Sequence, residues 1–353
     1  MIQTHPLPTN LDLDDIVQLF PTIAYRESVA DDWRLLVQGD VSSPGKVGFT
    51  KKLLLRLLQR MMRATSKCLQ GEIFQSRIQR FLATSERGKS VVVRVGDHLL
   101  PVPGKSGPTG HFSSVVRLPP TAIAANDSAS PATVPLHVQF AQDDSRSVQA
   151  PVHLLQSRGL SIISDIDDTL KHSYVLCRRT LLQNTFLNEF EVIPGMADVF
   201  RGWANEGAAF HYVSSSPWQL YEHLESLLSG AGFPIGSYHL RCFRLRDQIF
   251  RRLLLLRRSG KLQVIASLVR MLPGRRFVLV GDSGEHDPEV YGAIARRFPQ
   301  QIERVLIREM PGPKSTLRRY ERAFRQLPAE LWQIYRRPNE LPASFGDVPE
   351  VGG

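Results

Sequence analysis

Residues 160–173 read LSIISDIDDTLKHS: an apolar run, Leu160 to Ile163, leads into three carboxylates, Asp165, Asp167 and Asp168, and then Lys171. Charge crowded at the end of a buried strand is costly to desolvate unless something compensates it. Two further clusters have the same character. Ser214-Ser215-Ser216-Pro217 follows the run FHYV, and Gly281-Asp282-Ser283-Gly284-Glu285-His286-Asp287 follows FVLV. Lys261 stands ahead of the second of these clusters. Hard carboxylate oxygens that leave positions open suit Mg²⁺, which binds through one or two carboxylates plus substrate phosphate. A divalent cation and an ammonium aimed at one point would stabilise a phosphoryl group in transfer. Asp165 and Asp167 are two residues apart, so an extended turn can point both toward one side.

Rival chemistries fit less well. A calcium loop starting at Asp165 would need Gly and Glu where Leu170 and Leu176 stand. Gly88-Lys89-Ser90 and Gly104-Lys105-Ser106 end like a Walker A loop, but Ala83 and Leu99 replace its leading glycine. The letters GDSG at 281–284 also surround the nucleophile of trypsin-like proteases, a fold that is all-β, whereas here they lie between a strand and a helix. Cys68, Cys177 and Cys242 are far apart with no C-x-x-C, which argues against a disulfide framework and a zinc site. Ser215 and Ser216 could serve as caps for a helix starting at Pro217.

The elements that must position these residues alternate. Strands are expected at 160–164, 209–213, 276–282 and 302–308, and helices near 195–206, 217–229, 261–272 and 288–298. Such alternation predicts an α/β domain with a parallel sheet and covering helices, in which ligands bind outside the carboxyl ends of the strands. Before it, residues 31–41, 90–100, 111–118, 135–141 and 150–155 read as β-strands of a smaller, sandwich-like module. TKKLLLRLLQRMMRAT interrupts them, with Lys52, Arg56, Arg60 and Arg63 at helical spacing and leucines on other faces. The expected domains are therefore 1–155, β-rich with a basic helical insertion, and 156–335, the α/β domain. The Pro- and Gly-rich stretch 336–353 is expected to be a disordered tail.

The chain has 353 residues, a formal net charge of +10 and an ordinary hydrophobic share of 42%. Positive charge predicts attraction to an anionic partner, be it nucleic acid, lipid surface or phosphorylated substrate. No apolar run approaches the length of a membrane span, and the start lacks an apolar signal core. The expected location is cytoplasmic, or peripheral on a membrane.

The order D-x-D-x-T after a strand, Ser after the next, Lys, then G-D-x-x-x-x-D resembles the haloacid dehalogenase superfamily of phosphohydrolases. More narrowly, SIISDIDDTLKHS, YVSSSPWQLY, LRCFRLRD and FVLVGDSGEHDPEVYG resemble the phosphatidate phosphatase family associated with actin patches. FLATSERGKSVVVRV and GHFSSVVRL resemble that family's leading domain, although QGDVSSPG departs from its Gly-Trp-Val strand motif. The resemblance implies a Rossmann-like haloacid dehalogenase sheet with a small cap. It implies Asp165 as nucleophile, through an aspartyl-phosphate, and Asp167 as proton donor and then base. It implies Mg²⁺ held by Asp165, Asp282 and the main-chain carbonyl of Asp167, with Asp287 in the metal group as the residue that orients the lysine or metal-bound water. Ser214 and Lys261 would bind phosphoryl oxygens, with Ser215 and Lys171 as further substrate contacts.

The resulting expectation is a Mg²⁺-dependent phosphatidate phosphatase acting on phosphatidate or another anionic phospholipid at a membrane surface. Lys171, His172, Arg178 and Arg179 would line an open mouth, with residues 241–258 as a basic rim. His286 is expected to be a loop residue, and Trp218 and Tyr221 to pack. The alternatives are a phosphatase of soluble or nucleic-acid phosphoesters and a non-catalytic phospholipid-binding module. Nucleic-acid binding is not expected, because no aromatic-interleaved basic motif or zinc finger is present. Protein partners are not indicated.

Overall fold

The computed structural model describes residues 9–28, 30–45, 49–123, 132–141, 143–242, 258–312 and 316–345. The chain divides into two compact units: residues 1–46, 82–157 and 236–238, and residues 47–81, 158–235 and 239–353. The helical segment 47–81, which the sequence places inside the leading domain, thus groups with the second unit.

The first unit is a nine-stranded sheet of β1 (Ile16–Leu19), β2 (Thr22–Tyr25), β3 (Trp33–Ser43), β4 (Thr84–Ser85), β5 (Val92–Val95), β6 (His98–Pro101), β7 (His111–Leu118), β8 (Thr133–Val138) and β9 (Gln149–Leu155). Pairing is antiparallel wherever these strands meet, except between β2 and β9. Two separate sheets are the sandwich expectation. Here β3, eleven residues long, is paired along one edge by β7 and β4 and along the other by β1 and β2, which joins all the strands into one sheet. Its core is aliphatic and aromatic, built on Trp33, Leu35, Val37, Val93, Leu118, Leu136 and Val152.

The second unit contains α1 (Phe49–Met62), α2 (Ser66–Leu69), α3 (Glu72–Leu82), α4 (Arg178–Phe186), α5 (Met196–Asn205), α6 (Tyr221–Gly230), α7 (Arg258–Met271), α8 (Asp287–Arg297) and α9 (Leu317–Ala323). Its sheet comprises β10 (Gly159–Ser164), β11 (Ala209–Pro217), β12 (Ser237–Arg241), β13 (Arg275–Asp282), β14 (Ile302–Arg308) and β15 (Trp332–Tyr335), in the order β12-β11-β10-β13-β14-β15. The pairings from β11 through to β15 are parallel. The last four residues of β10 and the last six of β13 are buried, as expected for strands covered on both faces. The chain runs outward from β10 through β11 to β12, then returns to β13 on the other side. The carboxyl end of β10 is therefore a topological switch point, where α/β sheets place their ligands.

The α1 helix buries Leu54, Leu58 and Met62 at four-residue spacing and leaves Lys52, Arg56 and Arg60 in solvent. It packs on α4, and Gln183 Nε2 donates to the Met62 carbonyl at 2.8 Å. Residues 336–345 are ordered, contrary to the tail expected from 336. Trp203 Nε1 donates to the Pro342 carbonyl at 2.9 Å, and the Phe345 ring lies 5.0 Å from that of Trp203. The remainder of that expected tail, 346–353, lies outside the described residues, as does most of the expected basic rim, 243–257.

Candidate active site

Three strand ends deliver the site. Asp165 follows β10, and its backbone N–H donates to the Val280 carbonyl of β13 at 2.9 Å, so one hydrogen bond sets its place between two strands. Ser214, Ser215 and Ser216 end β11, and Asp282 ends β13. Asp287 opens α8 ahead of Pro288, where a fixed φ and a negative charge both suit the first helical turn. Gly281 makes room for it: a Cβ there would lie 2.2 Å from Asp287 Oδ2 and 2.7 Å from the Tyr291 ring.

Carboxylate oxygens of Asp165, Asp282 and Asp287 lie within 4.8 Å of one another, all buried. Lys261, from α7, ties two of them together, its Nζ 2.5 Å from Asp287 Oδ1 and 3.0 Å from Asp165 Oδ1. Asp165 Oδ2 and Asp282 Oδ2 are buried with no hydrogen-bond donor among the described residues. Burial, against the attraction of Lys261 and with repulsion from Asp287 and Asp167, pushes the Asp165 carboxyl up to about 7. Asp282 is pushed well up by burial and by Asp287 and Asp165. Buried carboxylates without donors are expensive, and an oxygen-only donor set with open lone pairs is what a hard divalent cation requires. The residues present fit such an ion.

Asp167 belongs to a second network. Its Oδ1 accepts from Lys171 Nζ and Ser173 Oγ, each at 2.6 Å, and its Oδ2 from Ser216 Oγ at 2.7 Å and Ser214 Oγ at 3.0 Å. Burial favours the neutral acid, but the Lys171 charge and these hydrogen bonds outweigh it and hold the carboxyl far below the usual range. Lys171 is therefore not at an exposed mouth. It is buried against Asp167, 4.7 Å from the centre of the Phe190 ring. Arg178 and Arg179 are exposed and His172 half-buried. Neither Ser215 nor Ser216 makes a side-chain cap: Ser215 Oγ donates to Glu285 Oε2 at 3.2 Å and Ser216 reaches Asp167. Trp218 is buried beside Tyr221, their rings 6.4 Å apart.

Residues 160–309 match the family model described as "Phosphatidate phosphatase APP1, catalytic domain". That segment is similar to an APP1-type catalytic domain. Two similar proteins are an uncharacterized protein of Schizosaccharomyces pombe, 34% identical over 169 residues, and phosphatidate phosphatase APP1 of Saccharomyces cerevisiae, 31% identical over 205 residues. The alignments cover 47% and 57% of this chain but 27% and 34% of those proteins, so the chain spans about a third or less of the length of the curated relatives it matches.

Within the matched segment, two functional-looking residues escape a reading by motif. Asp168 adopts a left-handed φ of 55° and accepts the backbone N–H groups of Ser173, Tyr174 and Val175 at 2.8–2.9 Å. Its charge shapes the loop that carries Ser173 to Asp167. Glu285 is buried and pushed well up by burial and by Asp165. The sequence signal for both was present, as acidic residues inside the two Asp-rich turns.

Proposed function

We propose that this chain is a divalent-cation-dependent phosphomonoesterase of the haloacid dehalogenase type, acting on phosphatidate to give diacylglycerol and phosphate. The observation that carries the reading is the meeting of Asp165, Asp282, Asp287 and Lys261 at the switch point of an APP1-like catalytic domain. The Saccharomyces relative's name supplies the substrate.

Asp165 is the nucleophile: an Oδ atom attacks phosphorus, the bond to the leaving alkoxide breaks, and an aspartyl-phosphate forms. Lys261 and the Ser214 hydroxyl take up the charge of the transferred phosphoryl oxygens. Asp165, Asp282 and Asp287 hold the cation, proposed to be Mg²⁺, which supplies Lewis-acid stabilisation of that charge when bound. Asp167 lies two residues on and serves as the proton carrier. It starts as the carboxylate, takes the proton of the monoprotonated phosphate ester as that group displaces the Ser214 and Ser216 hydroxyls, and passes it to the leaving oxygen. It then takes a proton from the water that hydrolyses the acyl-phosphate.

The loop after Asp168 favours a substrate held at a membrane. Tyr174 is 52% and Leu176 41% exposed, next to exposed Arg178 and Arg179. Exposed apolar side chains beside basic ones suit an anionic lipid surface. No helix among the described residues is long and apolar enough to cross a membrane, so the contact proposed is peripheral. Phosphate release from vesicles containing phosphatidate, compared with a panel of soluble phosphomonoesters and with and without Mg²⁺, tests the assignment. Preference for the vesicles supports it. Turnover of soluble esters alone overturns the lipid assignment, and no turnover of either overturns the reaction.

A further inference from the structure

Beside Asp167 the second unit opens a cleft of about 520 Å³, counting the space open to solvent. Asp167, Ser215, Ser216 and Glu285 make a polar floor, and Phe81, Leu181, Phe186 and Leu220 contribute apolar walls. We propose that this cleft is the leaving-group site, taking the apolar chain of the phosphomonoester whose phosphorus lies at Asp165. In this assignment Phe81 and Leu181 set chain preference. The assignment rests on the phosphomonoesterase reading and extends it to residues outside the strand-end motifs.

Geometry gives the first reason. A group that protonates the leaving oxygen must touch it, so the rest of the leaving group runs away from phosphorus past Asp167. Asp167 lines this cleft. Wall chemistry gives the second. A sugar or nucleotide leaving group carries many hydroxyls and amides that need partners, whereas these walls offer hydrocarbon. Thr185 is the polar exception, and its Oγ1 is turned back on the Leu181 carbonyl at 2.7 Å.

The third reason is that the walls are fixed in place. Arg77, on α3, is buried and donates through Nη1 to the carbonyls of Asn184, Thr185 and Asn188 at 3.2, 3.0 and 2.6 Å. Its guanidinium lies 3.7 Å from the centre of the Phe190 ring, the ring that Lys171 also faces. The Phe186 ring packs between Phe81 and Phe74, at 5.3 and 6.2 Å. The segment 47–81 thus supplies a wall of the cleft and clamps the C-terminal end of α4, which supplies another.

A series of alkylphosphonates from butyl to octyl, which cannot be hydrolysed, tests this by calorimetry on the full chain with Mg²⁺. Each methylene entering the cleft should tighten binding about fourfold. Leu181→Trp, which fills the cleft from a half-buried position, should flatten that slope. Thr185→Asp should do the same with a smaller side chain, and so covers the case in which the tryptophan variant does not fold. Leu53→Trp, at an exposed position of α1 away from the cleft, should keep it. No slope in the wild type, or an equal slope in a folded cleft variant, overturns the assignment. Binding needs no turnover, so this result is independent of the vesicle assay that tests the reaction itself.

Discussion

Lys171 Nζ lies 2.6 Å from Asp167 Oδ1, and both side chains are buried. The ammonium holds Asp167, the proposed proton carrier, as a carboxylate, so in the proposed reaction it starts as a base and must gain a proton before it acts as an acid. Removing the positive charge raises the Asp167 pKa. If the ionised form is the one that binds substrate, the acidic limb of kcat/KM then moves to higher pH. In Lys171→Met that limb should lie at higher pH than in the wild type. A pH–rate profile of both proteins reads it, and coincident limbs contradict the coupling.

Cation binding should depend on pH through the other carboxylates. Folding lifts the Asp165 carboxyl from 3.8 to about 7. Between those values the native state binds the proton more tightly than the unfolded chain, so cation-free stability falls as pH rises. A cation needs the ionised form, so it recovers most where that loss is complete. The thermal midpoint should rise more on adding Mg²⁺ at pH about 7.5 than at pH about 5. Equal rises would sink this prediction.

Gly281 should be intolerant of the smallest substitution. Its added Cβ would fall 2.2 Å from Asp287 Oδ2, whose partner oxygen holds Lys261 at 2.5 Å. Gly281→Ala should displace Asp287, weaken Mg²⁺ dependence and lower kcat by about ten- to a hundredfold, with the fold retained by circular dichroism. Unchanged Mg²⁺ titration would show that Asp287 has no part in the site.

Arg77→Leu removes three hydrogen bonds from a buried guanidinium to the end of α4. The carbonyls it leaves behind should cost roughly 2–4 kcal/mol in denaturant unfolding. A loss under 1 kcal/mol, on the order of a surface substitution, would mean that the clamp is not structural.

The strand ends were legible because position relative to an apolar run is a local signal: Asp165 follows β10 and Asp282 ends β13 where expected, whereas β11 runs on past Ser214 to Pro217. What was not legible depends on tertiary approach. The amphipathic pattern of α1 shows that Leu54, Leu58 and Met62 are buried, but no periodicity says that they pack on α4, more than a hundred residues later. Lys171 reads as a surface cation until Asp167, Ser173 and Phe190 close around it. The short strands β1, β2 and β15, four residues each, carry too few alternations to stand out. Composition misread 336–345, because a single tryptophan, Trp203, gathers Pro342 and Phe345 onto the domain.

Asp165 and Asp167 together carry the proposed reaction, and phosphate release by Asp165→Asn and Asp167→Asn beside the wild type, each with Mg²⁺ and phosphatidate, measures it most directly. Asp165→Asn should fold, gain stability in the absence of cation because a costly buried charge is gone, and lose turnover more than about a thousandfold. Asp167→Asn should retain cation binding and lose turnover to a similar degree. Wild-type release by a folded Asp165→Asn would contradict the nucleophile, and with it the reaction proposed.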